Sequence, residues 1–367
     1  MKVCVFFNDQ GSFLTHRRDL ISFLTRYYPD LTVFLPGARF FGHEYGGYRR
    51  FFFNRGSLGL LDFLNTSRHV YRIIKNEKPD LVVFVSLNLS IIGGITARFA
   101  KAKTLMIIPG MGTFFTTQSL QGKFFQILAY SMIRMSRSFL IVQNRDDKLL
   151  MENIVGADRI FLIPGSSIVI PPRKPRAASA GKKITITFVG RLLIEKGIQD
   201  FLAVAKSISS KRDDVEFLVV GDFDYNNPSH LNSGALEQLP GFRSVAFLGH
   251  VDDMESIYRI TDVLCLPSYR EGFPRVVIEA AAYGIGAVVY DVVGCREAVI
   301  DGVTGYVCGR FDIEDMEKRL VELVINRELR LSIGMRARNK AREFSVENIG
   351  AQHLAVISNI VNAHHHL

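Results

Sequence analysis

The chain contains no tryptophan, and its four cysteines (Cys4, Cys265, Cys295 and Cys308) include no CxxC pair. Zinc ribbons and dithiol redox sites need that spacing, so neither is expected. Apolar neighbours around most of the cysteines favour reduced thiols, as in a cytosolic protein, over a disulfide frame. No apolar run reaches the roughly eighteen residues of a membrane-crossing helix. The nearest, 81–97, is broken by Ser86, Asn88, Ser90, Gly93 and Gly94. The opening MKVCVFFNDQ turns polar too early for a signal-peptide apolar region, so none is expected. What is present is ordinary for a globular chain: 48% hydrophobic and 22% charged residues, with 28 phenylalanines to fill cores. At 367 residues the expectation is two domains.

The net charge of +9 is unevenly spread. Residues 1–170 carry 21 Lys/Arg against 11 Asp/Glu, a net of +10; 171–181 add +3; 182–367 carry 21 against 25, a net of −4. A basic front half on a slightly acidic back half calls for a polyanionic partner of the front half alone. Tyr48–Arg49–Arg50–Phe51–Phe52–Phe53–Asn54–Arg55 interleaves cations with aromatics, which suits an anionic membrane surface: Arg reaches phosphate and Phe dips into acyl chains. Lys123–Phe124–Phe125, continuing through Ile127, Leu128, Met132 and Ile133 to Arg134 and Arg137, is a second such stretch, readable also as a core helix with snorkelling cations. An anionic membrane is the expected partner, and nucleic acid is not.

Two halves begin alike. The apolar runs 2–7 and 184–189 each end in a polar turn and a helical pattern, as the first strand of an α/β unit does. Further runs follow at 31–35, 81–85, 104–108 and 139–142, and then at 215–220, 245–248, 263–266, 287–290 and 305–307. Strands alternating with helices predict parallel sheets covered on both faces. Between the halves, Pro171–Pro172–Arg173–Lys174–Pro175 and the small residues after it mark a linker. The expectation is an α/β protein of two Rossmann-like domains facing across a cleft: 1–168, a linker 169–183, and 184–348, with a final helix of about 349–363 returning to the first domain. Ligands of such sheets bind beyond the carboxyl ends of the strands. The terminal His364–His366 is given no metal role.

Gly190–Arg191–Leu192–Leu193–Ile194–Glu195–Lys196–Gly197–Ile198 follows a strand and opens a helix. Gly190 allows close backbone approach, and Arg191 and Lys196 suit a diphosphate, the first as a bidentate fork and the second as a point charge. Alone, the pattern reads equally as a turn with surface charges. Pro267–Ser268–Tyr269–Arg270–Glu271–Gly272–Phe273–Pro274–Arg275 then runs from a strand into a helix, with Pro274 expected in its first turn. The amides of Gly272 and Phe273 would face an anion or sugar hydroxyls. Glu271 can accept hydrogen bonds from sugar hydroxyls. Glu279, inside the otherwise apolar Val276–Ala282, must face something polar, and a ribose diol fits.

Glu271 and Glu279 within SYREGFPRVVIEAAA, with GRLLIEKGI upstream, resemble the retaining glycosyltransferases of family 4, which have the GT-B fold. Gly221–Asp222–Phe223–Asp224–Tyr225–Asn226–Asn227–Pro228 is similar to a segment of the subgroup that builds bacterial surface glycans on undecaprenyl diphosphate. The stretch 245–251 resembles the strand and loop lining the nucleotide base, and 294–306 resembles the family's GCREAV stretch. The first half matches more loosely, at Ser12–Phe13–Leu14–Thr15–His16–Arg17 and at Pro109–Gly110–Met111–Gly112. Many members place a histidine after the strand that here ends Ile107–Ile108–Pro109.

The resemblance implies a hexose or N-acetylhexosamine moving from a UDP-sugar to an undecaprenyl-diphosphate-linked saccharide at the inner membrane face, with retained anomeric configuration and no metal or cofactor. It assigns Glu271, Arg191 and Lys196 to catalysis. The donor falls to Gly190, Arg191, Lys196, Gly249, His250, Val251, Glu271, Gly272, Phe273, Pro274 and Glu279, and the acceptor to Gly11, His16, Arg17, Gly110 and Gly112. The alternatives are another GT-B enzyme, such as a nucleotide-sugar epimerase or a phosphorylase, and a non-enzymatic module binding anionic lipid or nucleic acid.

Overall fold

A computed structural model describes residues 1–37, 48–54, 59–111, 120–172, 183–225, 227 and 229–362. The chain divides into two compact units, 1–167 with 346–367, and 168–345.

The first unit carries seven parallel strands: β1 (Val3–Phe7), β2 (Leu31–Pro36), β3 (Tyr48–Phe51), β4 (Leu81–Val85), β5 (Thr104–Ile108), β6 (Phe139–Val142) and β7 (Ile160–Leu162). Their order is β3-β2-β1-β4-β5-β6-β7. β2 and β3 are added on one side of β1 and β4 to β7 on the other, so the switch point lies between β1 and β4. The connecting helices are α1 (Gln10–His16), α2 (Arg18–Thr25), α3 (Leu60–Glu77), α4 (Leu87–Phe99), α5 (Leu120–Ser136) and α6 (Arg145–Val155). Because side chains alternate across a sheet, β1 serves two cores. Cys4 and Phe6 turn toward α3 and α4, where the Phe6 ring stacks on Phe34 at 4.6 Å and meets Phe84 and Phe51 at 5.2 Å. Val3, Val5 and Phe7 turn toward α2.

β3 corrects one expectation. The segment read as a headgroup-binding run is an edge strand whose Phe51 is buried in the core and whose Arg49 is paired with Glu77 of α3. Phe53 packs partly against the same core, and Arg55 lies outside the described residues. β7 is a second strand that the apolar runs did not reveal.

The second unit has six parallel strands: β8 (Ile184–Val189), β9 (Val215–Val220), β10 (Ala246–Gly249), β11 (Val263–Leu266), β12 (Gly286–Tyr290) and β13 (Gly305–Cys308), in the order β10-β9-β8-β11-β12-β13. Its helices are α7 (Ile198–Ser209), α8 (Ser233–Glu237), α9 (Met254–Ile260), α10 (Arg275–Ala282), α11 (Cys295–Ala298), α12 (Ile313–Ile325) and α13 (Arg327–Ala341). α7 and α12 pack together, as do α10 and α13. The switch point falls between β8 and β11.

The last helix, α14 (Val346–Asn362), belongs to the first unit, where it packs on α2 with Gly350 facing the Phe23 ring. Lys103 caps it, donating to the carbonyls of Ile360 and Val361 at 3.1 and 2.8 Å. Most of the linker, 173–182, lies outside the described residues, but Pro171 is held at its carbonyl by Arg338 of α13. All four cysteines are buried free thiols. Among the described residues no helix is long and apolar enough to cross a membrane.

Candidate active site

At the carboxyl end of β8 the chain passes Gly190 and Arg191, makes a short 3-10 turn over Ile194–Lys196, and enters α7 at Gly197. Gly197 has φ +72°, and a side chain there would lie 1.9 Å from the Pro267 carbonyl oxygen. Only glycine permits both the left-handed backbone and that approach. The Lys196 turn is thereby pressed against the loop leaving β11, which the Tyr269 amide ties down by donating to the Glu195 carbonyl at 2.9 Å.

Two residues 75 apart in sequence meet as a result. Lys196 Nζ lies 2.5 Å from Glu271 Oε1, and the Ser268 hydroxyl donates to the same oxygen at 2.9 Å. Both charged side chains are mostly buried, at 21% and 13% exposure. The Glu271 backbone is fixed from the other side: its amide donates to the Val293 carbonyl at 3.0 Å. Gly294, at φ +80°, would bring a Cβ within 2.5 Å of the Glu271 carbonyl oxygen and 2.6 Å of that of Gly272. This gives the GCREAV stretch a role the sequence did not disclose: its glycine lets the β12–α11 turn seat under the Glu271 loop.

Arg191, five residues before Lys196 on the same turn, is paired with Asp224, in the loop after β9. Both cations assigned to a diphosphate are thus held by carboxylates of the same unit, an arrangement not anticipated from the sequence. Behind them, Asp200 of α7 accepts from Tyr269 and Tyr290 at 3.2 and 2.9 Å. Burial pushes the Asp200 carboxyl above the ordinary aspartate range, the two hydroxyls opposing it, and pushes the Tyr269 phenol up to about 12. Glu195 Oε2 is buried with no hydrogen-bond partner among the described residues, and no sequence signal marked it.

Pro274 is the N-cap residue of α10, one position before the first turn where the sequence put it. Phe273 is buried with its ring against Phe344 at 5.3 Å. Inside α10, Glu279 has the polar partners its setting demands, but they are protein groups. Oε1 takes Arg275 Nε at 2.6 Å, and Oε2 takes the buried Tyr258 hydroxyl at 2.9 Å. Burial raises the Tyr258 phenol well above its ordinary value. The argument that an apolar helix leaves Glu279 in need of a ribose is therefore corrected: Arg275 and Tyr258 already meet that need. A carboxylate still has about four acceptor positions, so two remain for a ligand. Gly249, His250 and Val251 stand at the carboxyl end of the edge strand β10, with the His250 ring exposed and its Nε2 3.1 Å from Asp252.

In the first unit, Gly11 lies in the opening turn of α1, which Asp9 caps by accepting from the Ser12 amide at 2.7 Å, and exposed His16 ends that helix. Gly110 follows β5, and Gly112 lies outside the described residues. Arg17 stands apart from these. It is buried and lines a small cavity with Leu20, Ile21 and His353, facing the α2–α14 side of the sheet.

Residues 171–340 match the family of group 1 glycosyl transferases. The match takes in 170 of the 367 residues and nearly all of the second unit, which therefore carries the group 1, or family 4, glycosyltransferase pattern; the two parallel α/β sheets match those of GT-B structures. Over 322 residues, 82% of the chain and 82% of the relative, it is 27% identical to the N,N'-diacetylbacillosaminyl-diphospho-undecaprenol alpha-1,3-N-acetylgalactosaminyltransferase of Campylobacter jejuni. It is 24% identical over 298 residues, 77% of the chain and 76% of the relative, to the UDP-Gal:alpha-D-GlcNAc-diphosphoundecaprenol alpha-1,3-galactosyltransferase of Escherichia coli. Its fold matches that of Anabaena HepE in complex with UDP, with a TM-score of 0.79 at 17% identity over 98% of this chain and 100% of that one.

Proposed function

We propose that the enzyme moves a hexose or N-acetylhexosamine from a UDP-sugar to an undecaprenyl-diphosphate-linked saccharide, with retention, at the cytoplasmic membrane face. The observation that carries the reading is the meeting of Lys196 with Glu271 between the ends of β8 and β11, the switch point of the second unit where ligands of such sheets bind, with Arg191 on the same turn after β8. The acceptor class is supported by the names of the two bacterial relatives, both of which act on undecaprenol-linked sugars.

In this reading the diphosphate takes over the two cations from Asp224 and Glu271. As the anomeric C–O bond breaks, negative charge grows on the departing UDP, and Arg191, Lys196 and the amides opening α10 stabilise that charge more than the ground state. The acceptor hydroxyl forms the new bond to the anomeric carbon from the leaving-group side and gives its proton to a diphosphate oxygen. No protein nucleophile and no metal are called for. Glu271, released from Lys196, orients sugar hydroxyls. Glu279 uses its remaining acceptor positions for the ribose, and Gly249–Val251 line the base. Gly11, His16 and the Gly110 loop meet the acceptor, and Arg17, buried on the α2–α14 side, supports them through packing.

Membrane contact is supported by α5, which exposes Phe124, Phe125, Ile127 and Leu128 between Lys123 and Arg134. The test is a panel of UDP-sugars assayed for UDP release with and without lipid-linked saccharides in vesicles. One donor accelerated by a lipid-linked acceptor supports the reading. Sugar isomerisation without transfer, or no turnover of any donor, contradicts it.

A further inference from the structure

Outside the site, the first unit has an open groove of about 320 Å³ between α3 and α4. Its walls are Phe63, Tyr71, Ile95 and Phe99, and the Phe99 side chain is 74% exposed. So large an apolar side chain left in water beside an apolar trough marks a binding surface rather than ordinary scatter. Arg68 and Arg72, one turn apart on α3, stand at its mouth, and no carboxylate is among its lining residues. On the floor, Ser67 Oγ is buried with no hydrogen-bond partner among the described residues. A hydroxyl so placed is costly unless an occupant accepts its proton.

Apolar walls, two guanidinium groups at the rim and one orphaned donor between them match a single kind of molecule. The occupant needs a hydrocarbon chain, an acceptor such as an ester carbonyl at its root, and an anionic phosphate beyond. We propose that the α3–α4 groove takes one acyl chain of an anionic bilayer phospholipid. Its phosphate rests on Arg68 and Arg72, and its ester oxygen accepts from Ser67. The inference builds on the lipid-linked acceptor reading, because it supplies the hold by which the first unit stays at the surface where such an acceptor lies. α5 belongs to the same helical layer through its packing on α4, so its exposed phenylalanines extend this contact.

The absence of native tryptophan makes the test direct. Phe99→Trp and, as a second reporter, Tyr71→Trp each place one indole in the groove, while Tyr27→Trp, just after α2 and against Phe23, places one on the other side of the sheet. Each full-length variant is mixed with vesicles of phosphatidylglycerol brominated on its acyl chains. The indole at position 99 or 71 is expected to lose at least half its emission, and that at position 27 to stay bright. Arg68→Glu with Arg72→Glu is expected to weaken vesicle binding about tenfold or more, since each cation near an anionic surface contributes about 1 kcal/mol. Indoles that stay bright on bound vesicles overturn the proposal, even where UDP release is intact. Emission changed by a polyprenyl phosphate in phosphatidylcholine but not by the brominated lipid also overturns it, assigning the groove to the acceptor's tail. Quenching in the groove supports it whether or not the chain proves to transfer sugar.

Discussion

Lys196 Nζ stands 2.5 Å from Glu271 Oε1, an oxygen that also accepts from the Ser268 hydroxyl, in a site whose proposed task requires the lysine to face a phosphate. The ion pair fixes the ammonium at the mouth of β8, and in the proposed reading it gives the carboxylate a partner until a diphosphate takes the lysine. Lys196→Ala removes charge stabilisation needed most as UDP departs. It is expected to lower kcat by about a hundredfold or more with a smaller change in donor KM. Steady-state UDP release checks the split; a rise in KM with unchanged kcat would assign Lys196 to ground-state binding instead.

In the proposed reading, Asp224 competes with the donor for Arg191. The pair is half exposed, so its worth is modest, and Asp224→Asn is expected to tighten UDP binding by only about two- to fivefold. Arg191→Ala should weaken it by about tenfold or more. Calorimetric titration with UDP measures both. Weaker binding in Asp224→Asn would mean that Asp224 positions the guanidinium rather than occupying it.

Glu279 answers to two demands that can be separated. Glu279→Ala orphans the buried Tyr258 hydroxyl and removes the ribose contact, so both thermal stability and UDP affinity should fall, the former by about 1–3 kcal/mol. Tyr258→Phe removes the internal hydrogen bond alone and should leave UDP affinity within about twofold. Equal losses of affinity in both variants would make Glu279 a packing residue without a ligand.

His353 predicts a pH dependence of stability. Its ring is buried on α14, with Nδ1 2.8 Å from the Ile349 carbonyl, and burial together with the Arg17 charge holds its pKa down at about 4. In the unfolded chain the ring titrates near 6.5. The stability associated with the neutral ring is therefore complete above about pH 6.5 and is lost as pH falls toward 4, by up to about 3 kcal/mol. Denaturant unfolding across that range should show the loss, and His353→Leu should flatten it.

Much of this was legible in the sequence because both faces of each sheet are covered. Strands such as Leu81–Val85 are buried at every position and stand out as unbroken apolar runs. β3 was hidden because an edge strand tolerates charge: Arg49 and Arg50 read as a surface run, while the core contact of Phe51 and the pairing of Arg49 with Glu77 are made at long range. β7, three residues long, is too short for periodicity to register. In the site, Lys196 and Glu271 could be named from their local patterns, but their meeting depends on three crossovers of a parallel sheet. The partners of Glu279 were invisible for a related reason, Tyr258 coming from the preceding helix. Arg17 looked like a surface cation beside His16 because one step along a helix changes which face a side chain takes; it lies buried against α14, whose sequence is more than 300 residues away.

The most direct test of the central claim is a crystal structure of the full chain with UDP bound. The account predicts diphosphate oxygens within about 3 Å of Arg191 and Lys196, with Glu271 turned away from the lysine and Asp224 from the arginine. A diphosphate bound elsewhere, with both ion pairs intact, would contradict it.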